Sequence, residues 1–146
     1  MPTAGRLTAA VVFGLFGWYL AGITVPYFPE SNAPDFWVAA AALTGVVLGW
    51  QICGSRAGNG YNAATGVGIS TAVAMALVIL FILGFNQMIK NAMRLRYDGP
   101  TESVVDVFNL MYEHGLYFAD VSIGVTLLVG GIICAWLTEF VGRRFP

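Results

Sequence analysis

Four long apolar runs constrain this sequence more than any other feature. They lie at residues 7–25, 36–53, 64–85 and 121–140, and none carries an acidic or basic side chain away from its ends. A helix of about 20 such residues crosses the roughly 30 Å hydrocarbon core of a bilayer, because it rises about 1.5 Å per residue. The sequence therefore predicts an all-α membrane protein with four transmembrane helices.

The composition argues against an ordinary soluble domain. Apolar residues make up 58 % of the chain and charged residues 10 %, against about 45–50 % and about 25 % in typical globular proteins. Seven basic and eight acidic side chains cannot cover a soluble fold of 146 residues, so the surplus apolar surface faces lipid or a partner. The length fits one domain over 1–146, and the net charge of -1 argues against nucleic acid as a partner.

The segment between the third and fourth runs is charged and cannot span. The sequence Asp98-Gly99-Pro100 predicts a turn, followed by an amphipathic interfacial helix over 101–117 with Thr101 as its N-cap. Helical spacing gives this helix one polar stripe, made of Glu102, Asp106, Asn109 and Glu113. Away from that stripe lie Val104, Phe108, Met111 and Gly115. Because the polar stripe is acidic, we expect the apolar side to rest on the protein's own helices rather than on anionic lipid.

The loops give a weak indication of orientation. Four spans place both termini and the glycine-rich hairpin after residue 53 on one side, with four arginines there against three basic residues on the other. The connector 26–35 has no lysine or arginine, and its three prolines favour an extended or turn conformation. Since basic residues are enriched in cytoplasmic loops, we expect both termini to be cytoplasmic.

Few residues in the chain are suited to catalysis or metal binding. His114 is the only histidine, which excludes a haem held by two histidines within one copy and the histidine-rich zinc sites. Cys53 and Cys134 lie in apolar sequence, which disfavours the reactive thiolate. Glu139 stands four residues before Arg143 and is expected to form an ion pair that anchors the end of the fourth span. We therefore predict no enzyme activity, no cofactor, and no catalytic or metal site.

Small residues point to close helix packing. Gly45 and Gly49 form a GxxxG pattern in the second run, and in lipid such residues let two helix backbones approach closely. Packing within the bundle and contact with another chain explain the pattern equally well.

Three segments carry a resemblance to a known family. They are residues 49–61 (GWQICGSRAGNGY), 94–100 (RLRYDGP) and 127–131 (LLVGG). In this order they resemble the TrgA-type family, small bacterial membrane proteins linked to tellurite resistance, over nearly the whole chain. The resemblance implies an inner-membrane location and a resistance phenotype, and it brings no catalytic residues. At the junctions within these segments, the candidate contacts for lipid headgroups or a protein interface are Arg56, Arg94, Arg96 and Asp98.

Two functions follow as hypotheses. The first is a non-enzymatic multi-pass inner-membrane protein of the tellurite-resistance type. The alternative is an accessory or assembly subunit of a larger respiratory or photosynthetic complex, such as a reaction centre with its light-harvesting proteins. Short loops and a 14 % aromatic content favour that alternative. The expected partners are the lipid bilayer and, in the second case, other membrane subunits; a channel built from several copies has few polar residues to line it.

Overall fold

The computed structural model describes residues 3–28 and 34–145 of the chain. Within these ranges the chain forms five α-helices, and four of them are long and apolar enough to cross a membrane. The helices are α1 (Ala4–Thr24), α2 (Trp37–Leu48), α3 (Tyr61–Met93), α4 (Pro100–Tyr117) and α5 (Val121–Arg144). This confirms the predicted all-α fold with a shorter helix between the third and fourth spans. Of the proline-rich connector, residues 29–33 lie outside the described residues.

Helices α1 and α2 form an antiparallel hairpin with backbones in close contact. A Cβ atom added at Gly45 would overlap the carbonyl oxygen of Phe13, and one added at Gly49 would lie 2.6 Å from that of Ala9. Real Cβ atoms do not approach other atoms so closely, so only glycine fits. The GxxxG pattern thus lies inside the bundle, against α1, rather than on its outer surface.

The second span continues as helix beyond the end of α2 at Leu48. A π-helical turn (Gly49–Cys53) and a 3-10 turn (Gly54–Arg56) continue it, and the three residues after Ala57 lead into α3. Gly58 and Gly60 adopt φ values of +99° and +102°, which glycine reaches without steric cost. The region is a tight hairpin between two helices, as predicted.

Helix α3 is longer than a span requires, and two helices share it. Its 33 residues correspond to about 50 Å. Helix α5 packs on the first part, where Gly68 meets Gly131, and α4 packs antiparallel on the last part, where Gly84 meets Val107. Helix α4 therefore extends the α5 side of the bundle beyond the ends of α1 and α2.

The predicted N-cap of α4 is wrong by two positions. The N-cap is Gly99, Pro100 takes the first turn, and no side chain caps the helix. Glu102 instead accepts a hydrogen bond from the backbone N–H of Asp98 at 3.1 Å. Proline suits the first turn because an N–H there has no intrahelical partner.

An aromatic cluster closes the end of the bundle opposite the chain termini. The ring of Phe28 lies edge-on to those of Trp37 and Phe118, at 5.1 and 5.2 Å between centroids, and the last two are stacked at 5.9 Å. Beside the cluster, the Tyr27 hydroxyl donates to the carboxylate of Asp120 at 2.7 Å. These contacts join the end of α1 to the starts of α2 and α5.

Candidate functional site

A buried carboxylate is the most unusual polar group of the bundle. Glu139, on α5, is 1 % exposed. Its Oε2 accepts the N–H of Gly58 and its Oε1 that of Gly60, each at 2.7 Å. We call these three residues the glutamate clasp. It ties the hairpin between α2 and α3 to a helix about eighty residues further along the chain.

The local backbone explains why the clasp forms. N–H groups at the start of a helix have no intrahelical acceptor, and Gly60 is the N-cap of α3. The left-handed conformations of the two glycines turn both N–H groups toward α5. The carboxylate satisfies both donors, and charge-assisted hydrogen bonds of this kind are stronger than neutral ones.

Glu139 does not lie where the expected ion pair with Arg143 would place it. The carboxylate turns inward to the hairpin, while the Arg143 guanidinium lies 5.8 Å from the ring centroid of Tyr61. Tyr61 in turn meets Trp136 edge-on at 6.5 Å. Arg143 therefore anchors α5 through an aromatic face of α3.

Both thiols lie directly below the clasp. Cys53 and Cys134 are buried and free, and they belong to one core cluster with Phe13 and Met75. The hydroxyl of Thr138 donates to the carbonyl oxygen of Cys134 at 2.9 Å and also interacts with the Cys53 thiol. Surrounded by apolar side chains, neither thiol meets the electropositive, accessible setting of a reactive cysteine.

A recess opens to the surface outside the clasp. It has a volume of about 500 Å³ and is lined by Thr3, Gly5, Ala57, Gly58, Gly142, Arg143 and Phe145. Its cationic side chain is Arg143 rather than the predicted Arg56. Arg56 is exposed, and its carbonyl oxygen accepts a hydrogen bond from the Asn59 side chain at 3.0 Å.

The other predicted junction lies at the far end of α3. Arg94, Arg96 and Asp98 are exposed there. Since α3 is about 50 Å long, it keeps them well apart from Arg56. The four candidate contacts therefore form two separate surface sites, one at each end of the bundle.

Tyr97, between Arg96 and Asp98 in the sequence, holds α4 to α3. Tyr97 donates a hydrogen bond to Asp106, which also accepts the Asn91 side chain at 3.5 Å. Burial raises the pKa of Tyr97, and the bond to Asp106 adds to that rise. The hydroxyl thus keeps its proton at neutral pH, and this contact is lost only as the pH rises through that raised pKa.

His114 lies half-buried on α4. Burial lowers its pKa, although neighbouring Glu113 acts in the opposite direction. It is neutral at pH 7 as a result. Among the described residues, no group of three or more histidine, cysteine, aspartate or glutamate side chains could hold a metal ion.

An apolar cleft of about 190 Å³ lies beside the aromatic cluster, between α1, α2, α3 and α5. Polar lining is supplied by Thr24 and Trp37, and the Trp37 Nε1 donates to the Thr24 hydroxyl at 3.2 Å. The Thr24 hydroxyl in turn donates to the carbonyl oxygen of Leu20 at 2.9 Å, so both polar groups have partners. The cleft therefore presents apolar surface to any occupant, such as an acyl chain.

The glutamate clasp is the feature that reasoning from sequence missed. Two signals for it were present: a carboxylate inside an apolar run, which is costly unless paired, and a glycine-rich hairpin with unpaired N–H groups. Throughout the described part of the chain, every buried side-chain nitrogen and oxygen has a hydrogen-bond partner. The polar groups of the interior are thus used to hold the bundle together.

Comparisons with known proteins give no match: no family model, no curated protein and no solved structure matches this chain. The residues and their geometry alone carry the conclusion that it has the architecture of a four-span helical membrane protein.

Proposed function

We propose that this chain is a non-enzymatic multi-pass protein of the bacterial inner membrane that supports tolerance of tellurite. The phenotype comes from the resemblance to the TrgA-type family. The non-enzymatic character is supported by one observation: Glu139, Cys53 and Cys134, the interior groups best suited to chemistry, are all engaged in packing. On this proposal the protein acts as a structural component of the membrane and does not catalyse a reaction.

Whether this protein could react with tellurite directly depends on whether its two thiols form thiolates. A direct reaction with this oxyanion needs a thiolate, which is the reactive form of cysteine. Both thiols are buried in an apolar cluster. Each oxygen of the clasp carboxylate beside them accepts a hydrogen bond from a backbone N–H group, so the carboxylate serves to hold the fold.

We expect a protein without thiols to keep its function. The gene would be deleted, and tellurite tolerance measured after complementation with the wild type or with Cys53→Ala/Cys134→Ala. The variant should restore the same tolerance as the wild type, because the substitutions remove only buried packing contacts and one weak hydrogen bond between the Cys53 thiol and Thr138. Membrane levels of both proteins, determined by immunoblot, serve as the control for folding.

Two results would count against this proposal. A thiol-free variant that accumulates normally but leaves cells sensitive would show that the cysteines react. A deletion strain with unchanged tellurite sensitivity would remove the basis of the tellurite hypothesis.

The second candidate function, an accessory subunit of a respiratory or photosynthetic complex, is favoured by a groove on the outer surface. The groove lies between α1 and α5, holds about 420 Å³ and is lined by Phe16, Tyr19, Val125, Thr126, Val129, Gly130, Ile133 and Cys134. A concave apolar groove within the membrane suits a helix of another subunit. Gentle solubilisation, native electrophoresis and mass spectrometry test this candidate. Migration only as a small free species would exclude it.

A further inference from the structure

The end of α3 and the whole of α4 form a helical hairpin that the other spans do not enclose. Along it, Leu80 packs on Gly115, Gly84 on Val107 and Met111, and Asn91 bonds to Asp106. The order of these pairs shows that the two helices run antiparallel. We call this unit the α3–α4 hairpin.

One flank of α3 within the hairpin is apolar and exposed. Its residues recur every four positions, as Phe81, Phe85, Ile89 and Met93, and the last is 80 % exposed. The same row, which winds around α3 by about 40° with every four residues, begins nearer the start of the helix, at Ile69, Val73 and Leu77, which are also exposed. It is therefore continuous with the outer surface of a membrane span.

Helix α4 also has an exposed apolar flank, which its expected packing on the protein's own helices does not cover. Val107 and Leu110 are buried against α3, whereas Phe108 is 63 % and Tyr112 70 % exposed. The exposed row consists of Val104, Phe108, Tyr112 and Leu116. The amphipathic helix thus has two apolar sides, and the chain itself covers only one.

Helix geometry places the two exposed rows on the same side of the hairpin. Gly84 of α3 and Val107 of α4 lie at the contact between the two helices. Phe85 and Phe108 each come one residue later, so each side chain is rotated about 100° away from the contact, in the same sense around its own helix. An antiparallel pair is related by a twofold axis perpendicular to the plane of its two helices. Equal rotations on the two helices therefore point to the same face.

The opposite face of the hairpin is polar. It carries exposed or partly exposed side chains from both helices, namely Asn86, Lys90, Glu102, Asn109 and Glu113. The hairpin is therefore amphipathic as a unit. Its division into two faces is clearer than that of α4 alone.

We propose that the α3–α4 hairpin lies obliquely in the membrane interface, with its apolar face in the lipid acyl region and its polar face in water. Continuity of the α3 row with the outer surface of the span supports lipid as the occupant. From Ile69 to Met93 the row measures about 36 Å. A helix tilted by about 40° from the membrane normal, the upper end of the usual range, has about 39 Å of its length within a 30 Å hydrocarbon core. The row is therefore short enough to lie in the acyl region along its whole length.

Charge supports the same placement. The acidic side chains of α4 lie on the polar face, away from the lipid, where they avoid the negative surface of anionic leaflets. Arg94 and Arg96 lie at the tip of the hairpin and are exposed. Long basic side chains at such a position extend their charge to the headgroups while their stems stay in apolar surroundings.

Accessibility measured on two matched pairs tests this placement. Single cysteines at Phe108 and Asn109, and at Ile89 and Lys90, would be introduced into the full chain carrying Cys53→Ala/Cys134→Ala and spin-labelled. The purified proteins would be placed in vesicles of phosphatidylcholine and phosphatidylglycerol. Collision rates with oxygen, which concentrates in lipid, and with a water-soluble nickel chelate would then be compared.

We expect positions 108 and 89 to favour oxygen severalfold over their neighbours, and positions 109 and 90 to favour the nickel chelate. Because all four side chains are exposed, labelling should leave the hairpin intact, and the two pairs check each other. Equal access of the nickel chelate to both members of each pair would show a hairpin standing in water. Shielding of positions 108 and 89 from both reagents would show a protein contact, such as a second copy of the chain. Either result would overturn the placement in lipid.

Discussion

Replacing Gly45 with alanine should force α1 and α2 apart and destabilise the bundle strongly. The added Cβ would overlap the Phe13 carbonyl oxygen and lie 2.7 Å from its carbon. These are backbone atoms, so no side chain can rotate away and the helices themselves must shift. Overpacking in a close-packed core costs typically about 1–3 kcal/mol, and contact with backbone places this case at the upper end.

A matched substitution on the facing helix provides the control. A Cβ at Gly22 of α1 meets nothing within 4 Å, so Gly22→Ala should leave stability unchanged or raise it by up to about 1 kcal/mol through helix propensity. Unfolding by sodium dodecyl sulfate in mixed micelles, followed by tryptophan fluorescence, measures both. Equal stability of the two variants would contradict the close packing of α1 on α2.

Replacing Glu139 with alanine is the second change with a large expected effect. It removes the acceptor of two partly buried hydrogen bonds, those from the backbone N–H groups of Gly58 and Gly60. A buried donor left without a partner costs about 1–3 kcal/mol. Because Gly58 is exposed and Gly60 is partly buried, water can replace part of the lost bonding, and the loss should be about 1–3 kcal/mol in total. Glu139→Gln keeps one acceptor oxygen and turns an N–H₂ donor toward the other glycine, so it should lose a smaller part of this energy.

Hydrogen exchange at the two glycines tests the clasp specifically. Both amides should be protected in the wild type and exchange rapidly in Glu139→Ala. Glu113→Ala, which removes an exposed carboxylate from α4, should change neither exchange nor stability. Unaltered protection of Gly58 and Gly60 in Glu139→Ala would show that the carboxylate does not hold the hairpin.

The number and class of helices could be predicted because they depend on local properties. Each span is an apolar run of sufficient length, and the bilayer imposes that length whatever the neighbours. The actual ends differ by a few residues, and α3 continues to Met93 because α4 packs along its last turns. Contact with α4 lets the helix continue through polar residues such as Asn91, whose side chain donates a hydrogen bond to Asp106.

The sequence contains signals that Glu139 needs a partner, but the identity of that partner could not be predicted because it depends on contacts across the fold. Spacing along one helix pairs Glu139 with Arg143, whereas its true partners are 81 and 79 residues away. The same limit applies to α4. Periodicity shows which residues of α4 are apolar, but it cannot show that Met111 faces α3 while Phe108 faces outward.

Four helices that cross a membrane in succession must place the hairpin after α2 and the turn after α3 on opposite sides of it. Single cysteines at Asn59 and Asp98, both exposed, would be introduced into the chain carrying Cys53→Ala/Cys134→Ala. A membrane-impermeant maleimide would then be applied to spheroplasts and to inverted vesicles. Labelling of Asp98→Cys in spheroplasts and of Asn59→Cys in inverted vesicles is the predicted result, with the termini cytoplasmic. Labelling of both positions from the same side would contradict the four-span architecture.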